Sequence, residues 1–113
     1  IPAMAEYVAT IESQLRSRLG AGKVIVFGHL GDGNLHVAVG DMTNDGPDAK
    51  TISDTIVYDA LLPHGGSVSA EHGVGEFKKP YLDRSRTPAE LAVMRSIKAT
   101  LDPNGIMNPG KIF

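Results

Sequence analysis

Apolar residues recur at three- and four-residue steps from about Ala3 to Leu19, at Met4, Val8, Ile11, Leu15 and Leu19. Such positions share one face of a 3.6-residue helix, so the stretch predicts an amphipathic helix, ended by Gly20-Ala21-Gly22. The period then changes. Val24-Ile25-Val26-Phe27 and Leu35-His36-Val37-Ala38-Val39 are apolar and rich in β-branched residues, which predicts two strands. Gly40 to Pro47 is loop, judged by Asp41, Asn44, Asp45, Gly46 and Pro47. A second helix is predicted from about Asp48 to Leu62, with Ile52, Ile56 and Ala60 inward. Pro63-His64-Gly65-Gly66 stops it, which makes His64 a helix-end residue, and Gly66 to Ala70 predicts a third short strand. Thr87, Pro88 and Glu90 form a capping box ahead of a helix running to about Leu101. Its inward side is predicted to hold Leu91, Met94, Ile97 and Lys98 or Leu101. The tail from Ile106 to Phe113 is too short for an element of its own and should pack against something else. Helix, strand, strand, helix, strand predicts an α+β fold. Its antiparallel sheet would carry helices on one face, in the ferredoxin-like manner, with a C-terminal helix and tail added.

The chemistry gathers between the first two strands, in Gly28-His29-Leu30-Gly31-Asp32-Gly33-Asn34-Leu35-His36. Asp32-Gly33 is a strong signal for a two-residue hairpin loop, since glycine takes positive φ freely and aspartate tolerates it. With that loop, His29 faces His36 across the pair, and opposed side chains stand on the same side roughly 4.5–5.5 Å apart at Cβ. Two imidazoles so placed can share a metal ion. Two strand histidines by themselves are as often plain polar residues. A third donor tilts the balance, and Ser67-Val68-Ser69-Ala70-Glu71-His72-Gly73-Val74-Gly75 offers a carboxylate and an imidazole side by side. Two histidines and a carboxylate, with open positions left over, suit a catalytic zinc or iron(II).

Composition narrows the partners. The 113 residues make one domain or a piece of one, and a net charge of −2 argues against nucleic acid as the main partner. Lys78, Lys79, Arg84 and Arg86 form a small basic cluster that Glu76 and Asp83 interrupt, so it reads as solvated surface. With no cysteine there is neither a disulfide nor a thiolate metal site. No apolar run approaches the roughly 20 residues of a membrane span, and no signal peptide shows at the start. A cytoplasmic location is expected, or the mitochondrial matrix in a eukaryotic source, with peripheral membrane association left open.

Three motifs, GHLGDGNLH from Gly28 to His36, SAEHGVG from Ser69 to Gly75 and the ending DPNGIMNPGKIF, together resemble one family. It is the FAD-linked oxidases of the vanillyl-alcohol oxidase type, in the branch of D-lactate, glycolate and D-2-hydroxyglutarate dehydrogenases. The match covers most of the chain, but only the C-terminal, substrate-side part of such an enzyme, and the upstream FAD-binding domain is not expected within residues 1–113. The resemblance implies oxidation of a D-2-hydroxy acid to the 2-keto acid, with hydride passing to the flavin. It also implies a divalent ion held by His29, His36 and Glu71, zinc first, with iron or manganese as alternatives. His72 would then take the hydroxyl proton, a task suited to an imidazole near neutral pH. Asn108 is the position the resemblance sets near the flavin; a plain turn is the competing reading. Many members carry an asparagine two residues after the second motif histidine, where this chain has Ala38, and that departure leaves the substrate open.

The competing function class is a metal-binding or oligomerisation module without activity of its own. Ile106, Met107, Ile112 and Phe113 follow an amphipathic helix without a strand partner. Apolar surface of that kind tends to find a cover, so the isolated chain is expected to self-associate, most simply as a symmetric dimer, and to bind no FAD.

Overall fold

A computed structural model describes residues 2–113. Helix α1 (Pro2–Leu19) leads into strand β1 (Lys23–Phe27), a short 3-10 turn (Leu30–Asp32) and strand β2 (His36–Gly40). Helix α2 (Ala49–Asp59), two further 3-10 segments (Leu62–His64 and Lys79–Arg84) and helix α3 (Pro88–Leu101) complete the chain. The two strands pair antiparallel, and the fold is α+β with α1 and α2 packed on one side of the sheet.

The core of this layer is a row of α1 residues four apart: Tyr7, Ile11, Leu15 and Leu19 are all buried, joined by Ala21, Ala49 and Ile56. Met4 is half-buried and Val8 packs against this core as predicted; Tyr7, absent from the predicted face, is buried too, because a tyrosine there can also serve α2. Its hydroxyl donates to the Val57 carbonyl at 3.1 Å, one of the last carbonyls of α2, which have no partner within the helix. Val24, Val37 and Val39 cover the core from the sheet, while Ile25 and Phe27 point to the other face and stay about half exposed.

A second cluster joins Val68, Leu82 and Leu91, with Tyr58, Leu61, Met94 and Phe113 packed around it. The predicted third strand does not form. Around it the Ser67 hydroxyl donates to the Ser69 carbonyl at 3.0 Å and the Ser69 hydroxyl to the Gly73 carbonyl at 2.7 Å. Serine side chains that bond nearby backbone favour turns over a ladder. Gly66 is also held tight against Leu61, where an added Cβ would come within 2.6 Å of a side-chain carbon.

Helix α3 begins as predicted. The Glu90 amide donates to the Thr87 hydroxyl at 3.2 Å, the Thr87 amide donates to the Glu90 carboxylate at 2.7 Å, and Pro88 takes the first helical position. Its inward side holds Leu91, Met94 and Lys98 as predicted, whereas the predicted Ile97 stays exposed, as do Val93 and Leu101. Lys98 wins over its apolar neighbours because its ammonium pairs with Asp102 and donates to the Met107 carbonyl at 2.6 Å. Asp102 is itself buried and accepts from the Ile106 and Met107 amides at 2.9 and 3.0 Å. The Lys98 ammonium, then those two amides, hold its carboxyl below the ordinary carboxylate range. This knot turns the chain back, and Phe113 packs into the second cluster with Arg95 over its ring at 5.5 Å. No helix among the described residues is long and apolar enough to cross a membrane.

A carboxyl with a lowered folded-state pKa stabilises the fold above its ordinary pKa of about 3.9 and loses that contribution as pH falls through the lowered value. Asp102→Ala is therefore expected to release residues 103–113 at neutral pH, read as faster hydrogen exchange at the Ile106 and Met107 amides. The parent protein should show the same release only in acid. Unchanged exchange in the variant would remove Asp102 from the account of the tail.

Candidate functional site

Strand β1 ends at Phe27 because Gly28 follows with φ 152°, and an added Cβ there would meet the Asn34 carbonyl oxygen at 2.1 Å. Only glycine allows that approach. The connection that follows is not the two-residue hairpin predicted from Asp32-Gly33. The His29 carbonyl accepts from both the Asp32 amide at 3.0 Å and the Asn34 amide at 3.2 Å, and Gly33 (φ 70°) closes a 3-10 turn back to Leu30. His36 is consequently opposite Phe27, not His29. The shift is two residues, an even number, so His36 keeps the face that the hairpin reading gave it. The ring of Phe27 stacks on it at 5.1 Å and 19°.

The loop from Ser69 to Gly73 comes over the same face. Glu71 Oε1 lies 3.0 Å from His36 Nε2 and 3.4 Å from His72 Nε2. A donor atom from each of His36, Glu71 and His72 fits within a sphere of mutual distances under 4.8 Å, close enough to ligate a single ion. His29 stands outside that close group, although its charge contributes to lowering the Glu71 pKa. One carboxylate thus serves two imidazoles. The His72 side chain is 70% exposed, against 31% for His36.

Asn34 is the buried polar member of the site, which the turn signal at Asp32-Gly33 had overshadowed. It is 7% exposed, and among the described side chains its Oδ1 is the buried polar atom without a partner. Its amide is the largest influence holding the Glu71 carboxyl below the ordinary range, ahead of His36, His72 and His29. Asparagine placed two residues before His36 in a tight turn could be read from the sequence only as a turn residue.

All four of Asn34, His36, Glu71 and His72 line a cleft of about 630 Å³ that runs on past Tyr58, His64 and Lys78. A cleft of that size accommodates a small-molecule ligand. Lys78 belongs to the basic cluster predicted as solvated surface, but it is half-buried on the cleft wall; Arg84 of the same cluster is engaged by Asp59 and Asp83. Asn108 is in an exposed turn with φ 46° and is not among the residues lining the cleft. The tail that carries it docks beside the site loop, through the Ile112 amide to the Gly75 carbonyl at 2.8 Å and an ion pair of Lys111 with Glu76.

Residues 1–112 match the C-terminal domain of FAD linked oxidases. The chain belongs to that family. It is similar to D-2-hydroxyglutarate dehydrogenase of Stutzerimonas stutzeri, 47% identical over 95 residues, which is 80% of this chain and 20% of the relative. The Bos taurus mitochondrial D-2-hydroxyglutarate dehydrogenase is 46% identical over 103 residues, covering 88% of this chain and 18% of its own. Glycolate oxidase subunit GlcD of Bacillus subtilis is 35% identical over 92 residues, covering 80% and 20%. This FAD-linked oxidase domain thus spans about a fifth of the length of those relatives.

In the FAD-linked oxidase domain, Gly28→Ala should displace Asn34 and with it the start of β2. A side chain in that φ region costs on the order of 1–3 kcal/mol before the clash is counted. Denaturant unfolding should show at least that loss; a variant as stable as the parent would mean the loop has room that its geometry denies.

Proposed function

We propose that this chain supplies the substrate-side face of an FAD-dependent dehydrogenase that oxidises a D-2-hydroxy acid, of the lactate, glycolate or 2-hydroxyglutarate type, to the 2-keto acid. The observation that carries this reading is the meeting of His36 and His72 on the one carboxylate of Glu71, at 3.0 and 3.4 Å, inside a cleft. Family membership supports FAD as cofactor, bound mainly by a domain outside these residues; Asn108 is the residue this reading assigns to it from this chain. The names of the relatives support the substrate class. The word mitochondrial in the name of the Bos taurus relative supports that compartment for a eukaryotic source.

Oxidation of the alcohol carbon removes a hydroxyl proton that an unactivated alcohol does not release at neutral pH. A bound flavin would supply the acceptor for the α-hydrogen as hydride, and a bound divalent cation would favour the deprotonated hydroxyl. His29, His36 and Glu71 are the ligands in this reading, and two imidazoles with a carboxylate suit zinc, with iron(II) or manganese as alternatives. Of these donors His36 and Glu71 fit such an ion, their atoms lying 3.0 Å apart with Glu71 held as a carboxylate, while His29 stands outside the close group. His72 accepts the hydroxyl proton on Nε2. Its exposed ring can hand that proton to solvent, and Glu71 at 3.4 Å steadies the imidazolium in the meantime.

In the full-length protein, His36→Ala should abolish metal retention by elemental analysis. His72→Ala should keep the metal and lower kcat by roughly 10²–10⁴, the loss of one general base. If His72→Ala loses the metal and His29→Ala keeps it, the ligands are the close group of His36, Glu71 and His72. A protein that turns over no member of a panel of D-2-hydroxy acids with an artificial electron acceptor overturns the function.

A second reading, a metal-binding or self-associating module inactive alone, is favoured by the exposed Val93, Ile97, Leu101, Ile106 and Met107. The isolated chain should sediment as a symmetric dimer at micromolar concentration and carry no flavin. A clean monomer with stoichiometric flavin would contradict both.

A further inference from the structure

The cleft is lined by two carboxylates and one lysine. Asp54 and Glu71 line it, and Asp54 is paired with Lys50 at 2.5 Å. Among the lining residues Lys78 is the one lysine or arginine. Lys23, Lys50, Arg84, Lys98 and Lys111 each have a carboxylate partner, whereas among the described residues the Lys78 ammonium has none. Its partner is the Ser69 hydroxyl at 3.4 Å, the long end of hydrogen bonding. That hydroxyl is oriented by its own donation to the Gly73 carbonyl at 2.7 Å, so it presents lone pairs to the ammonium.

The backbone of Lys78 is held as well. Its backbone amide donates to the Val74 carbonyl at 3.2 Å, which folds residues 74–78 into a turn directly after Glu71 and His72. A lysine in this setting lays its aliphatic stem along the protein and brings its charge to the cleft. Half-buried charge without a counter-charge is unfavourable, and an anion entering the cleft would correct it. Ser69 is two residues from Glu71, a span of at most about 7 Å. An anion on Lys78 would therefore sit within a small molecule's length of the His36–Glu71–His72 group.

We propose that Lys78 binds a carboxylate of the hydroxy-acid substrate, so that the cleft selects acids over neutral alcohols. The inference rests on the function proposed above. It assigns two ends to the substrate: the hydroxyl at Glu71 and His72, the carboxylate at Lys78.

The test uses the flavin-loaded full-length protein with D-lactate, its neutral amide and a five-carbon 2-hydroxy diacid. Lys78→Met should raise KM for the acids by about 10–100-fold, the loss of a charged hydrogen bond, with the effect on KM larger than on kcat. The amide has no anion to lose, so the preference for acid over amide should collapse, and Lys78→Arg should restore most of it. A loss shared by D-lactate and the diacid assigns the carboxylate next to the hydroxyl; a loss confined to the diacid assigns the distal one. If Lys78→Met fails to fold, as judged by flavin and metal content, Lys78→Gln replaces it against Lys78→Arg. An equal KM for every acid in that pair overturns the inference. An unchanged KM for every acid in a protein that still turns them over also overturns it, and leaves the proposed function standing. A parent protein that turns over no acid overturns both.

Discussion

The Glu71 carboxylate is the constraint on which this molecule's functional face depends. It sits 44% exposed at the tip of a loop with no secondary structure of its own, yet two imidazoles and a buried asparagine amide converge on it. Each of these partners is set by a different part of the chain. His36 comes from the first residue of β2, Asn34 from the turn before it, and His72 from the same loop. An exposed carboxylate gains little from a lone surface partner, typically no more than about 1 kcal/mol. Three partners at one oxygen pair are therefore better understood as a prepared binding geometry than as a stabilising device, a conclusion the unsatisfied Asn34 Oδ1 supports, since burying it costs stability.

Much of this was legible in the sequence, and the failures are instructive. The two strands, the helices and the capping box at Thr87 follow from local periodicity and local hydrogen bonding, which a sequence carries directly. The hairpin register does not. Asp32-Gly33 is a good two-residue turn, but the tight approach of Gly28 to the Asn34 carbonyl makes a longer connection organised on His29, and nothing local in the sequence announces that contact. His36 reached its predicted face all the same, because the register changed by two.

Other departures share a cause: a polar group found a long-range partner that outweighed an apolar neighbour. Lys98, which the pattern offered as an alternative to Leu101, turned inward for the sake of Asp102 and the Met107 carbonyl and left the predicted Ile97 exposed. Tyr7 joined the core beside Val8, its hydroxyl on the Val57 carbonyl fifty positions away. Lys78 left the solvated surface predicted for it because the turn after Gly75 carries it to the cleft wall. The exposed stripe of Val93, Ile97 and Leu101 is the other side of the same exchange. In a domain that makes up about a fifth of its relatives' length, such a stripe is unsurprising.

The central claim is that the carboxylate and imidazoles at this face hold one divalent ion. X-ray absorption on the zinc-loaded full-length protein tests it most directly. The account predicts one tightly held ion with nitrogen and oxygen neighbours at about 2.0–2.2 Å, two of them imidazole, and no sulfur in the shell. An ion with fewer than two imidazole neighbours, or none retained after dialysis, would contradict it.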